Sequence, residues 1–208
     1  MSNNKTTINQ IKSRKRVAEH GEVFTAEREV KAMLDLVKPE TERIDSRFLE
    51  PACGNGNFLV EILRRKLDSA KQMLCRWHPC KHDEMMADLS LRAISSIYGI
   101  DIMADNVKES RERMYFELCD WFMNTSKRPD LRLGGLVSRV PSDELVIAWK
   151  HILGFNIQQG DFLTMQHPET KEPLKVCEWN IDGQRIEYTD YLLSDLVNGN
   201  EPRQLMLW

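Results

Sequence analysis

The sequence predicts an α/β fold built on a parallel sheet. Three short apolar segments have the length of buried strands, and longer segments with helical spacing of apolar residues separate them. A glycine-rich turn follows the first of these strands and leads into a helix. Strand, helix, strand, helix, strand is the order of parallel sheets with right-handed crossovers. We therefore expect three parallel strands, preceded by an N-terminal helical segment and followed by a C-terminal β-hairpin.

Composition excludes several classes of protein. The chain has 208 residues, 41% of them hydrophobic and 29% charged, with a net charge of −3, which suits a globular protein with a real core. No apolar run approaches the roughly 18 residues of a membrane span. Residues 1–16 lack the apolar centre of a secretory signal. With no export signal, the five cysteines predict reduced thiols in a cytoplasmic protein.

The N-terminal region combines a basic run with an amphipathic helix. The run covers residues 12–16, and it is either a solvated end or a contact for nucleic-acid phosphates. Thr25 is expected to cap the helix, and Pro39 to end it. The predicted inner face of this helix consists of Val30, Met33, Leu34 and Val37.

The strands are predicted at residues 48–49, 97–102 and 155–159. Between them we expect helices at 58–67, through 68–96 with a break near Pro79, at 107–118 and at 145–153, and a loop at 124–143. Alternation from Val176 to Ile181 and from Gln184 to Tyr188 predicts a hairpin with a type I′ turn at Asp182-Gly183. The apolar tail Pro202–Trp208 is expected to dock on its own domain or on a partner.

Polar residues follow all three predicted strands. Gly54 and Gly56 let a ligand approach the backbone at the start of a helix, whose N-terminus favours a negative group. Asp101 ends the second strand and can bind ribose hydroxyls. After the third strand, the Asp161 carboxylate can accept from an exocyclic amine, and the Phe162 ring can stack on a base. With Glu50, these acids also suit a cationic ligand, although single loop acids are common.

Four motifs occur in a characteristic order. They are EVFT at 22–25, FLEPACGNGNF at 48–58, YGIDI at 98–102 and GDFL at 160–163. In this order they resemble the S-adenosylmethionine-dependent adenine-N6 DNA methyltransferases of restriction-modification systems. The resemblance covers roughly residues 20–165 and implies a partial Rossmann-like methyltransferase sheet. It also implies three units: a basic segment and helix at 1–40, a cofactor-binding domain at 41–165, and a hairpin and tail at 166–208.

The resemblance implies S-adenosyl-L-methionine as cofactor and DNA as substrate. Thr25 would contact the methionine carboxylate, and Glu50 with the glycine turn would hold the methionine part. Asp101 would bind the ribose, and Asp161 would accept from the adenine amine. The full set of implied cofactor residues is Phe24, Thr25, Glu50, Pro51, Ala52, Cys53, Gly54, Gly56, Asp101, Ile102, Asp161 and Phe162.

The catalytic motif of that family is absent from this sequence. The motif is Asn, Asp or Ser, then two prolines and an aromatic residue, and none of the eight prolines here is adjacent to another. Asn180-Ile181-Asp182-Gly183 has a plausible position but lacks the prolines and the aromatic residue. No catalytic residue can be named, and we expect a partner chain to supply catalysis and target recognition.

Two alternatives remain open. The chain could be a catalytically inactive cofactor-binding scaffold or sensor, or a different Rossmann enzyme that uses a dinucleotide. Against the dinucleotide, Leu59 stands where the third glycine of Gly-x-Gly-x-x-Gly belongs. Four possible zinc ligands, Cys75, His78, Cys80 and His82, have unfavourable spacing, so we predict no metal site.

Overall fold

The computed structural model describes residues 10–74, 82–126, 128–130, 135–137, 140–183 and 185–199. In these ranges the helices are α1 (Arg14–His20), α2 (Glu27–Asp35), α3 (Lys38–Thr41), α4 (Asn57–Leu74), α5 (His82–Ser95), α6 (Ala104–Thr125), α7 (Asp143–Asn156) and α8 (Leu193–Val197). The strands are β1 (Phe48–Glu50), β2 (Ile97–Asp101), β3 (Arg128–Asp130), β4 (Gly135–Val137), β5 (Ile157–Gln159), β6 (Lys175–Asp182) and β7 (Arg185–Leu192). The possible zinc ligands Cys75, His78 and Cys80, the break near Pro79 and the tail from Pro202 lie outside the described residues.

The expected α/β architecture is confirmed. β1, β2 and β5 form a parallel sheet in the order β1-β2-β5, and β6 and β7 form a separate antiparallel hairpin. Because the three strands are parallel, their carboxyl ends lie at one edge of the sheet. Among the described residues, no helix combines the length and the apolar character that a membrane span requires.

The two faces of the sheet are covered differently. A Cβ on Gly99 would lie 2.7 Å from Leu59 Cδ1, so this face packs directly against α4. Ile100, the next residue of β2, points the other way and packs with Leu174 and Leu193. Tyr98 shares that second face, and its hydroxyl donates to Cys177 O at 2.7 Å. The hairpin and α8 therefore lie on the sheet face opposite α4.

Several predicted boundaries are wrong for identifiable reasons. Ala26 rather than Thr25 caps α2, and Pro39 lies in the first turn of α3, where its missing N–H costs nothing. The expected loop at 124–143 contains the end of α6 and the short pair β3 and β4. The third strand begins only at Ile157, since α7 continues to Asn156.

A tertiary contact explains the late start of the third strand. Asn156 is buried at the end of α7, and its Nδ2 donates to Ile94 O and Ile97 O, both at 3.1 Å. Its Oδ1 accepts from Trp179 Nε1 of the hairpin at 2.7 Å. These bonds hold the helix end against α5, β2 and β6 together. Sequence spacing around residue 155 carries no sign of them.

Lys66 on α4 is fully buried and joins three segments at the amino end of the sheet. Its Nζ donates to Ile44 O at 2.9 Å, to Ser46 O at 2.5 Å and to Ser96 Oγ at 2.7 Å. Burial lowers the pKa of Lys66 from 10.5 to about 7. The folded chain therefore releases this proton at a lower pH than the unfolded chain does.

We expect Lys66 to make stability depend on pH. Between pH 7 and 10 the unfolded chain keeps a proton that the folded chain has lost, so the free energy of unfolding rises with pH. Relative to Lys66→Met, the wild-type chain should gain up to about 2 kcal/mol between pH 7 and pH 9. Urea unfolding of the wild-type chain and of Lys66→Met at pH 7 and at pH 9 measures this difference. The matched control is Lys71→Met, an exposed position on the same helix; equal slopes for wild type and Lys66→Met would contradict the prediction.

Candidate cofactor site

A cavity of about 470 Å³ lies at the carboxyl edge of the parallel sheet. Its walls are the N-terminal segment 21–25, the turn after β1, the loop after β2 and the loop after β5. Small-molecule sites in proteins have volumes of roughly 300–1,000 Å³. The four motifs singled out in the sequence thus meet around one cavity of suitable size.

Ten of the twelve predicted cofactor residues line this cavity: Phe24, Thr25, Glu50, Pro51, Ala52, Cys53, Gly54, Asp101, Ile102 and Asp161. Gly56 and Phe162 do not belong to the lining. Gly56 has φ of 85°, and a Cβ there would lie 2.7 Å from Ser110 Oγ. Gly56 is therefore required for the close approach of α4 and α6.

Phe162 lies elsewhere because the chain turns back after Asp161. Asp161 N donates to Gln166 O at 2.9 Å, and Asp161 Oδ1 accepts from Leu163 N at 2.9 Å. The turn directs Phe162 into the apolar cluster around Ile100, under the sheet. Leu163 takes its place in the cavity wall and is 91% exposed. Any aromatic stacking by Phe162 on a ligand in this cavity would require a rearranged loop.

Asp101 fixes the geometry of the site. Its Oδ2 accepts from Gly54 N at 2.8 Å, and its Oδ1 accepts from Met103 N at 2.9 Å and from Asn106 Nδ2 at 3.1 Å. The residue is only 8% exposed. A carboxylate offers about four lone-pair sites. Three are taken within the chain, so Asp101 first orients the glycine turn and has one position left for a ligand.

The turn after β1 depends on glycine and is closed by a backbone hydrogen bond. Gly54 has φ of 53°, and a Cβ on it would lie 3.0 Å from the Phe24 ring. Gly56 N donates to Cys53 O at 2.9 Å, and α4 begins at the next residue. The first amides of α4 have no partner within the helix and stand behind the cavity. Burial raises the pKa of the Cys53 thiol to about 12, which keeps it neutral.

Sequence reasoning missed the network that holds the N-terminal segment. Lys12 Nζ lies 3.0 Å from Asp105 Oδ2 and 2.8 Å from Glu109 Oε2, while Arg16 donates to Asp105 Oδ2 at 2.6 Å and to Glu22 Oε1 at 2.7 Å. The hydrogen bond from Arg16 holds the pKa of Asp105 down at about 2. A signal for this pairing exists, since Lys12 and Arg16 are four positions apart and so are Asp105 and Glu109.

This network changes the interpretation of the basic run. Lys12 and Arg16 are occupied by acids of α6 and by Glu22, whereas Arg14 and Lys15 remain exposed. The segment is thereby fixed over the site, and Phe24 N donates to Gln10 O at 2.7 Å. Two of the four basic residues of the run are thus paired with acids, and a contact of the exposed Arg14 and Lys15 with nucleic-acid phosphates stays a prediction.

The cavity is rich in negative charge and in hydrogen-bond acceptors. Glu22, Glu50, Asp101 and Asp161 line it, and no Lys or Arg belongs to its described lining. Burial raises the pKa of Glu50, which accepts a hydrogen bond from the Ala52 amide. Asn55 is 6% exposed, and its Oδ1 has no donor among the described residues. A ligand that brings positive charge or N–H donors would satisfy these groups.

Asn180 is remote from this cavity. It lies in β6, pairs with Glu187 across the hairpin and contributes nothing to the cavity lining. The predicted hairpin is confirmed, with its turn one residue later than expected, because Asp182 pairs with Arg185. The segment Asn180–Gly183 is thus strand and turn.

A scan of protein-family models and searches of curated proteins and solved structures find no match to this chain. The resemblance to adenine-N6 methyltransferases therefore depends on the four sequence motifs alone.

We expect Asp101→Ala to lower the stability of the whole chain. The substitution leaves the Gly54 and Met103 amides without their acceptor, which should reduce the free energy of unfolding by about 1–3 kcal/mol. Chemical denaturation provides the measurement. Asp120→Ala, an exposed acid on α6, is the matched control and should change little. A loss no larger than that of the control would show that Asp101 does not brace the turn.

Proposed function

We propose that this chain binds S-adenosyl-L-methionine and is the cofactor-binding part of an adenine-N6 DNA methyltransferase of a restriction-modification or defence system. In this proposal the three parallel strands are a partial Rossmann-like methyltransferase sheet. The protein is cytoplasmic. A second chain supplies the catalytic motif and target recognition. The order of the four motifs supports this proposal.

The negative charge of the cavity is the observation that favours S-adenosylmethionine over a dinucleotide as the ligand. S-adenosylmethionine combines a sulfonium and an ammonium group with one carboxylate, so its net charge is positive. Glu22 is paired with Arg16, but the carboxylates of Glu50, Asp101 and Asp161 and the unpaired Asn55 oxygen suit such a cation and its N–H donors. A dinucleotide would bring a pyrophosphate to a wall without a described basic side chain, which is unfavourable.

The residues present fit the cofactor group by group. Thr25 lines the cavity and offers a hydroxyl donor to a methionine carboxylate, and Glu50 suits the ammonium. The free position on Asp101 suits one ribose hydroxyl, and Asp161 suits the adenine amine. The cofactor would supply an electrophilic methyl group; the chain's residues bind and orient it.

Glu50→Gln should weaken binding of S-adenosylmethionine by about tenfold, because it removes a charge and keeps an acceptor for the Ala52 amide. Binding of the demethylated product should weaken by a similar factor, since it keeps the ammonium group that Glu50 suits. Titration calorimetry measures both, with NAD as a ligand expected not to bind. Glu42→Gln, exposed and paired with Lys38, is the control. No heat with either adenosyl ligand, or tighter binding of NAD, would contradict the proposal.

Alone, the chain should not methylate DNA. Holding a methyl donor does not lower the barrier at the acceptor nitrogen, and the sequence lacks the adjacent prolines whose motif activates adenine N6 in the family. Radiolabelled methyl transfer to adenine-rich DNA should stay at background. Turnover that Asn180→Ala abolishes would contradict this and make residues 180–183 an active site.

The inactive sensor is the second candidate, and the missing proline pair is the observation that favours it. A neighbouring reading frame that encodes an Asn-Pro-Pro-Tyr motif would favour the two-chain enzyme. Methyl transfer by both purified chains together, and not by either alone, would decide for the enzyme.

A further inference from the structure

Residues 10–23, which we call the N-terminal strap, form one wall of the cavity at the carboxyl edge of the sheet. Gly21, Glu22 and Val23 of the strap line that cavity. Among the side chains of the strap that the structure describes, none is buried. Directly after the strap, Phe24 is only 7% exposed and anchors the chain. The strap itself therefore has to be held in place by polar contacts.

The strap is joined to α6 by charged side chains. Lys12 Nζ lies 3.0 Å from Asp105 Oδ2 and 2.8 Å from Glu109 Oε2. Arg16 Nη1 donates to the same Asp105 oxygen at 2.6 Å. These pairs are partly open to water, since the side chains of Asp105 and Glu109 are 51% and 38% exposed. Ion pairs in such a position weaken when salt is added.

The helix within the strap is too short to be stable alone. α1 has seven residues, whereas isolated helices shorter than roughly 12 residues are marginal in water. Ser13 caps its first turn, and Gly21, with φ of 64°, ends it. Because these bonds lie within the strap, the contacts with α6 supply the remaining stability. A strap that leaves α6 therefore loses its helix, and its backbone amides exchange with solvent.

Asn106 connects the strap to the sheet side of the cavity. Its Nδ2 donates to Glu22 Oε1 of the strap at 2.6 Å and to Asp101 Oδ1 at 3.1 Å, and the residue is 1% exposed. Glu22 and Asp101 both line the cavity, so one buried amide holds a carboxylate of each wall. A ligand that contacts both walls binds the docked strap better than the released one and therefore favours docking.

We propose that the N-terminal strap is a salt-sensitive lid on this cavity. Its ion pairs with α6 break and form while the sheet and the other helices stay folded, and a bound ligand keeps the strap docked. The release of the strap by salt does not depend on the proposed function, whereas its protection by S-adenosylmethionine rests on that function.

Hydrogen exchange of the full chain, followed by mass spectrometry, measures the release of the strap. Raising NaCl to about 1 M, where the Debye length is about 3 Å, should speed exchange of residues 14–22 about tenfold. Peptides from α4 should keep their rate and serve as the internal reference. Asp105→Asn removes the carboxylate that Lys12 and Arg16 share. Its strap should exchange about tenfold faster at low salt and respond less to added salt.

Glu112→Gln is the matched control, because Glu112 is exposed on α6 and its ion pair with Lys108 does not involve the strap. This variant should exchange like the wild-type chain at both salt concentrations. Strap exchange that neither salt nor Asp105→Asn changes, or that Glu112→Gln changes equally, would overturn the proposal. Exchange of α4 that rises together with that of the strap would also overturn it, since the strap would then open only with the whole chain.

Added S-adenosylmethionine separates this inference from the proposed function. At about ten times its dissociation constant it should slow exchange of the strap about tenfold, because the released strap leaves the cavity without one wall. Binding in calorimetry with unchanged strap exchange would make the lid wrong and leave the proposed function standing. If no adenosyl ligand binds, the proposed function is wrong, and the salt series with Asp105→Asn still decides for or against the strap.

Discussion

The hydrogen bonds of Asp101 are the constraint on which the cavity at the carboxyl edge of the sheet depends. One carboxylate ties the glycine turn after β1 to the loop after β2 and to the first turn of α6. Without it, the partly buried amides of Gly54 and Met103 would lose their acceptor, and the turn would lose its fixed relation to β2. Asp101, the residue proposed to bind the ribose, therefore also stabilises the walls of the cavity.

This brace extends outward through Asn106. The Asn106 amide donates to Asp101 and, at 2.6 Å, to Glu22 of the N-terminal segment, while Arg16 bonds Glu22 and Asp105. The N-terminal wall of the cavity is therefore fixed by the same chain of polar contacts as its floor. Gly54 completes the arrangement, because only a residue without Cβ admits the Phe24 ring so closely.

The two cavities separate two kinds of chemistry on one small sheet. At the carboxyl edge, acidic groups and unpaired acceptors favour a positively charged ligand. Between the sheet and the hairpin, a second cavity of about 530 Å³ has a mostly apolar wall, and the Tyr98 and Tyr191 hydroxyls in it bond within the chain. The separation follows from the sheet itself, since residues at strand ends meet at its edge and alternate residues of β2 face the hairpin.

The sequence alone determined the three-stranded parallel sheet, the helical segments between its strands, the hairpin and ten of the residues that line the candidate cofactor cavity. These features depend on the spacing of apolar residues along the chain and on turn-forming residues such as Gly54 and Asp182-Gly183. Both can be identified directly in the sequence. Tertiary structure alone decided the end of α7 at Asn156, the packing of the half-buried Phe162 against the cluster around Ile100, and the pairing of Lys12 and Arg16 with α6. Each of these depends on groups far apart in the chain, and their mutual distance is set only when the helices and strands pack.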